Sequence, residues 1–164
     1  VKLTLSVILA GWLTGSVFAA NTIIIPANPS FQFVTDRDYG TLSKLTRNDG
    51  KDSIGYSIVE KSEQSSIVIS LGNDSVVRTA ESIAALAPGI KVEKQHVKLY
   101  DQDCDYLNWQ MKGYFYGATH LWMQASDKKK RLMTVDIVAA TKADLKQVET
   151  DLTSLSRFEG IQIK

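Results

Sequence analysis

Cysteine occurs once in this 164-residue chain, at Cys104, so no intramolecular disulfide can form. No Lys, Arg or His adjoins Cys104. Its neighbours Asp103 and Asp105 would raise a thiol pKa, so an inert thiol is expected. Histidine occurs only at His96 and His120. Neither H-E-x-x-H nor G-x-S-x-G is present, which removes the two commonest hydrolase signatures. Proline occurs three times, and there is no low-complexity stretch, linker or internal repeat, so one ordered domain is expected. Charge of one sign is also lacking: 19 Lys and Arg face 18 Asp and Glu. A nearly neutral chain offers no overall electrostatic case for nucleic acid or an anionic membrane.

The one long apolar run lies at the start. Lys2 forms a short positive region, Leu3 to Val17 an apolar region, and Val17-Phe18-Ala19 a small-x-small cleavage site. Residues 1–19 therefore read as a signal peptide and 20–164 as a single α+β domain. No integral membrane segment is expected after cleavage, and the location is periplasmic or secreted. Loss of Lys2 would leave the two signs of charge equal.

Within the domain, Thr22–Ile25 ends at Pro26 and reads as an edge strand. Phe31–Thr35 reads as a second strand, Asp36-Arg37-Asp38 as exposed, and Tyr39–Thr46 as a third strand. Arg47–Asp52 carries turn chemistry. Ile54, Tyr56 and Ile58 alternate with small residues and pair in a hairpin with Ile67, Ile69 and Leu71. Asp74 or Ser75 caps a short helix from Val76 to Ala87, stopped by Pro88-Gly89. Strands follow over Ile90–Tyr100, Tyr106–Lys112 and Thr119–Ala125, and a last one runs through Ala139. Asp101–Asp105 reads as an acidic turn, Gly113–Gly117 as an aromatic loop and Ser126–Arg131 as a basic turn. Thr141 and Asp144 make a capping box for a final helix to about Arg157, closed by Gly160. Its Leu145, Val148, Leu152 and Leu155 form one stripe. That stripe is expected to cover one apolar sheet face, formed by Leu107, Trp109 and Met111 together with Met133, Val135, Ile137 and Ala139. The expected fold class is α+β: a twisted antiparallel sheet covered by the C-terminal helix and a shorter mid-chain helix.

This order resembles the PsbP/Mog1/DcrB-like family of small α/β proteins. The similar features are the Ile23-Ile24-Ile25-Pro26 strand, the mid-chain Ser/Ala helix before a strand series, and Val135–Thr141 leading into a helix that ends Leu155-Ser156-Arg157-Phe158. The resemblance implies an α/β/α sandwich. It also implies a non-enzymatic role in assembly, envelope upkeep or protein binding, including neutralisation of toxins delivered by type VI secretion.

Two groups stand out as binding candidates: Tyr114, Phe115, Tyr116 and Trp122, and the run Lys128, Lys129, Lys130 and Arg131. Aromatics anchor interfaces, and they also fill cores. A basic tip fits an acidic partner, and it also deters edge pairing. Asp101, Asp103 and Asp105 alternate as in a calcium loop, but Tyr106 and Lys112 occupy positions that need Gly and Glu. No metal, cofactor or catalytic residue is therefore expected. The leading expectation is an exported protein-binding protein, concretely an immunity protein or an envelope-maintenance factor. One alternative is a small-molecule carrier with a pocket walled by Tyr116 and Trp122. The other is a hydrolase built on His96 or His120 with an acidic residue.

Overall fold

The structure, a computed structural model, describes residues 20–45, 54–72 and 76–159. The leader, the Arg47–Asp52 turn, the Asp74 or Ser75 cap and the Gly160 stop lie outside the described residues. In chain order the elements are β1 (Asn21–Ile25), β2 (Phe31–Thr35), β3 (Ser43–Leu45), β4 (Ile54–Val59), β5 (Ser65–Leu71) and α1 (Ala80–Ala84). Then come β6 (Val92–Leu99), β7 (Gln102–Met111), β8 (Tyr114–Gln124), β9 (Lys130–Ala139), α2 (Lys142–Leu152) and β10 (Ser156–Arg157). Two sheets form, a small one in the order β1-β2-β10 and a large one in the order β3-β4-β5-β9-β8-β7-β6. Every pairing among them is antiparallel. The chain is thus an α+β protein dominated by antiparallel sheet.

The period of two places the cores. Met133, Val135, Ile137 and Ala139 of β9 point to one face, beside Ile67, Ile69 and Leu71 of β5. Ile25, Phe31 and Phe33 of the small sheet cover that face, together with Leu145, Val148 and Leu152 of α2. Each such side chain removed from water contributes roughly 1.5–3 kcal/mol. Leu107 and Trp109 do not join this face. They point to the opposite one, where Ile83 of α1 and Ala118 pack on them. The expectation of one apolar face fails because β7 is apolar on both sides: Cys104 and Tyr106 fill the inner face, Leu107 and Trp109 the outer. Alternation identifies a strand's two faces and leaves open which of them meets which helix.

Several boundaries also differ. The mid-chain helix is only Ala80–Ala84, capped by Thr79 through a reciprocal bond pair with Ser82, and Val76 is exposed. The strand expected over Tyr39–Thr46 shrinks to β3, with Tyr39 bridging Glu60. The helix expected to reach Arg157 stops at Leu152, because Ser156 and Arg157 pair with Gln32 and Phe31 of β2. Leu155 is buried after the helix has ended.

Arg37, expected in an exposed segment, is a hub instead. Its guanidinium donates to Glu60 Oε2 at 2.5 Å and to Asp144 Oδ1 at 2.8 Å, with only 12% of its side chain exposed. Asp144 also accepts from the Thr141 hydroxyl at 2.6 Å. Beside this hub, Asp151 is buried and accepts from Thr35 Oγ1 at 2.6 Å and from Gln147 Nε2 at 3.0 Å. These bonds tie α2 to β2 and to the β4–β5 hairpin.

Burial pushes the Asp151 carboxyl above the ordinary carboxylate range, against the pull of Thr35 and Gln147. A folded-state pKa above the unfolded one gives stability that is complete below the unfolded value and lost as pH rises through the folded value. Asp151→Asn keeps both contacts, since the Gln147 amide can flip, and it removes the buried charge. It is therefore expected to raise stability at pH 7 by about 1 kcal/mol, the scale of one repaired buried polar group. The gain should vanish at acid pH. Thermal melts of both proteins across pH check this, and a Tm gain equal at both ends would refute it.

Candidate functional site

Two hairpins meet at one end of the large sheet. The β6–β7 turn is Tyr100-Asp101, with φ of 50° and 58°, and the β8–β9 turn holds Lys128 at φ 62°. The expected acidic turn is therefore mostly strand: Asp103, Cys104 and Asp105 belong to β7. Burial, with the charges of Asp103 and Asp105 adding to it, pushes the Cys104 thiol up. The expected basic turn is also partly strand, since Lys130 and Arg131 open β9.

The ladder between β7 and β8 runs from Met111↔Tyr114 to Tyr106↔Thr119 and stops there. The outer pairings continue, to Leu99↔Gln102 on one side and Gln124↔Lys130 on the other. The two hairpins thus part, and the Gln102 side chain spans the gap. Its Nε2 donates to the Trp122 carbonyl at 2.6 Å, and its Oε1 accepts from the Trp122 amide at 3.2 Å. One side-chain amide satisfies both backbone groups that a neighbouring strand would have satisfied. On the other side of β8 the ladder to β9 continues past Trp122, with Leu121 opposite Met133 and Met123 opposite Arg131. Trp122 is nevertheless 51% exposed. The result is a tryptophan on a paired strand, facing water at the rim of a shallow cleft of ≈ 380 Å³, shared with His96, Asp103, Asp105 and His120.

The cleft is charged and open. Asp105 takes Lys94 Nζ at 2.8 Å and His96 Nδ1 at 3.2 Å. The Lys94 hydrogen bond, with the nearby imidazoles adding to it, lowers the Asp105 pKa. The two histidines lie on β6 and β8, which flank β7 without touching each other in the ladder. The His–acid pair that a hydrolase would use exists, but the His96 side chain is 79% exposed. An imidazole in bulk water, sharing its carboxylate with a lysine, is poorly placed for general base work. Among the described residues no group of His, Cys, Asp and Glu is arranged to hold a metal ion.

The expected aromatic loop is not a loop. Its turn is Lys112-Gly113, and Tyr114, Phe115 and Tyr116 start the eleven-residue strand β8. Alternation splits them. Phe115 packs against the main core, while Tyr116 stacks on Trp109 with centroids 5.3 Å apart and planes at 10°. Tyr114 is half exposed beside Val59 and Val138. Tyr116 and Trp122 are six residues apart on one strand, about 20 Å, so they cannot wall one pocket. The register also places the aromatic start of β8 and the basic turn at opposite ends of the sheet, not together. Of the eight candidates, the structure groups Trp122 with Lys128, Lys129 and Lys130. Arg131 instead turns to Asp127 at 3.4 Å.

A second hollow, of ≈ 400 Å³, runs beside α2 and is lined by Asn108, Gln110, Phe115, Lys142, Lys146 and Glu149. Sequence reasoning missed it because Asn108 and Gln110 read as a solvent face. They share the inner face with the core, but α2 lies over β8 and β9 and leaves β7 uncovered there.

Fold and surface together define an α+β protein that presents one fixed tryptophan beside a basic hairpin. No helix among the described residues is long and apolar enough to cross a membrane. No protein-family model matches the chain, and comparison with curated proteins finds no match.

Proposed function

We propose that this is an exported, non-enzymatic protein-binding protein that docks its partner on the outer sheet face around Trp122. The observation that carries this reading is the half-exposed Trp122, on a strand paired with β9, whose backbone N–H and C=O are both bonded by the Gln102 side chain. Tryptophan is enriched among the few residues that dominate binding energy, and a prepaid backbone order reduces the cost of association. An immunity protein that blocks a secreted toxin is the most concrete form, and an envelope-maintenance factor the milder one. The PsbP/Mog1/DcrB-like sandwich is proposed as the fold family. Helices on opposite faces of an antiparallel sheet support that assignment. The apolar leader read at residues 1–19 supports a periplasmic or secreted location. The carrier reading would have to use the hollow beside α2, which keeps Phe115 of the expected aromatic group and leaves out Tyr114, Tyr116 and Trp122.

Affinity capture from periplasmic extract, run in parallel with wild type and Trp122→Ala, tests the function. A stoichiometric partner bound by wild type and lost on the variant is expected. Retention of a small metabolite with no protein bound would overturn the reading.

A further inference from the structure

We infer that the partner of the Trp122 face is an acidic protein segment, with carboxylates flanking the apolar group that meets the indole. This rests on reading Trp122 as a docking residue and adds the chemistry of what docks. The support is a local imbalance of charge that the neutral total conceals. Of the four acids at this end of the sheet, Asp105 and Asp127 are spent within the protein, while Asp101 and Asp103 have no described partner and are outnumbered by Lys98, Lys128, Lys129 and Lys130. Asp105 is held by Lys94 and His96. Asp127 accepts from the Lys129 backbone amide at 3.1 Å and from Arg131. The cations are not spent: among the described residues Lys98, Lys128, Lys129 and Lys130 make no ion pair and are exposed. Register puts them where a partner on Trp122 would meet them. Gln124, two residues beyond Trp122 on the same face, pairs with Lys130, and the hairpin tip follows at once. Asp103, opposite Lys98 in the β6–β7 ladder, is the one carboxylate of the cleft without a described partner.

An unpaired basic rim around an exposed aromatic speeds encounter with an acidic surface and rejects a basic one. An anionic bilayer would also meet the lysines. It would, however, press its headgroups against Asp103 and Asp105, whereas a protein segment can place its acids beside the hairpin and leave those two carboxylates in water.

The test is selection of a random-peptide phage library on the purified protein, with counter-selection on Trp122→Ala, whose folding is checked by circular dichroism. Enriched peptides are expected to carry an excess of Asp and Glu beside an aromatic or aliphatic residue. Their binding is expected to fall roughly tenfold or more when Lys128, Lys129 and Lys130 are replaced by Glu. It should fall likewise in about 1 M salt, where screening acts within about 3 Å. Peptides that depend on Trp122 but are neutral or basic, or that ignore the charge reversal, overturn the inference and leave the docking role intact. No enrichment over the variant overturns both. Binding to phosphatidylglycerol vesicles with no peptide enriched assigns the surface to a membrane and overturns it as well.

Discussion

Arg37→Met is expected to cost about 3–5 kcal/mol at neutral pH, the usual penalty for removing one partner of a largely buried ion pair. The guanidinium is the shared countercharge of Glu60 and Asp144, whose side chains are 13% and 20% exposed. Methionine fills the volume and leaves both carboxylates without it. The Ser65 hydroxyl on Glu60 and the Thr141 hydroxyl on Asp144 remain, so the loss lies in charge and not in every bond. The pH dependence has a definite sign. The Arg37 hydrogen bond, followed by that of Thr141, lowers the Asp144 pKa. A depressed folded pKa gives stability that is present above the unfolded value, near 3.9 for Asp, and lost as pH falls through the folded value. The deficit of the variant should therefore shrink as the pH drops below about 4. Urea denaturation of both proteins at neutral and acid pH measures this. A deficit that does not change with pH would show that packing, not the ion pair, is what Arg37 supplies.

Gly117→Ala should cost about as much, for a steric reason. A Cβ built on Gly117 falls 1.8 Å from Tyr106 Oη, 2.7 Å from its Cζ and 3.2 Å from Leu145 Cδ1. The Tyr106 ring crosses this glycine beneath α2 and is 2% exposed, so ring and helix must shift to admit the methyl group. Overfilling a packed core typically costs 1–3 kcal/mol, and displacement of α2 through Leu145 should place this case at about 3 kcal/mol or above. The companion change Tyr106→Phe tests the cause. The Tyr106 hydroxyl is buried without a hydrogen-bond partner among the described residues. Burial, with the Glu149 carboxylate adding to it, drives its pKa far above the ordinary phenol value. Removing that hydroxyl should leave stability unchanged or raise it by up to about 1 kcal/mol. In the double variant it should recover part of the Gly117→Ala loss, because the atom at 1.8 Å is gone and the one at 2.7 Å remains. Chemical denaturation of the four proteins closes the cycle. Strictly additive losses would rule out the clash with the hydroxyl as the source.

Strands read well from this sequence where alternation was clean, and function-bearing surfaces read poorly. Phe31–Thr35 was legible residue for residue, as was the pairing of the Ile54 and Ile67 runs, because β-branched and small residues alternate there without ambiguity. The eight binding candidates were chosen by residue type. Type alone could not tell that Tyr116 would stack on Trp109 while Trp122, on the same face of the same strand, would stay in water. The difference is coverage: α1 and its Ile83 roof the Leu107, Trp109 and Ala118 region and reach no further along β8. Gln102 gave no signal, since a glutamine in a charged stretch reads as solvent-facing. Only the parting of β7 from β8 gives its amide a backbone to satisfy.

By itself the sequence determined the local periods: which residues alternate, that Thr141 caps the last helix, and that no disulfide contributes. Those are properties of a few neighbouring residues, and local sterics and burial preference suffice to set them. Tertiary structure alone decided which faces meet, that Arg37 and Asp151 would be buried, and which cations stay unpaired around Trp122. Each of these depends on residues brought together from distant parts of the chain, and a one-dimensional pattern carries no record of that meeting.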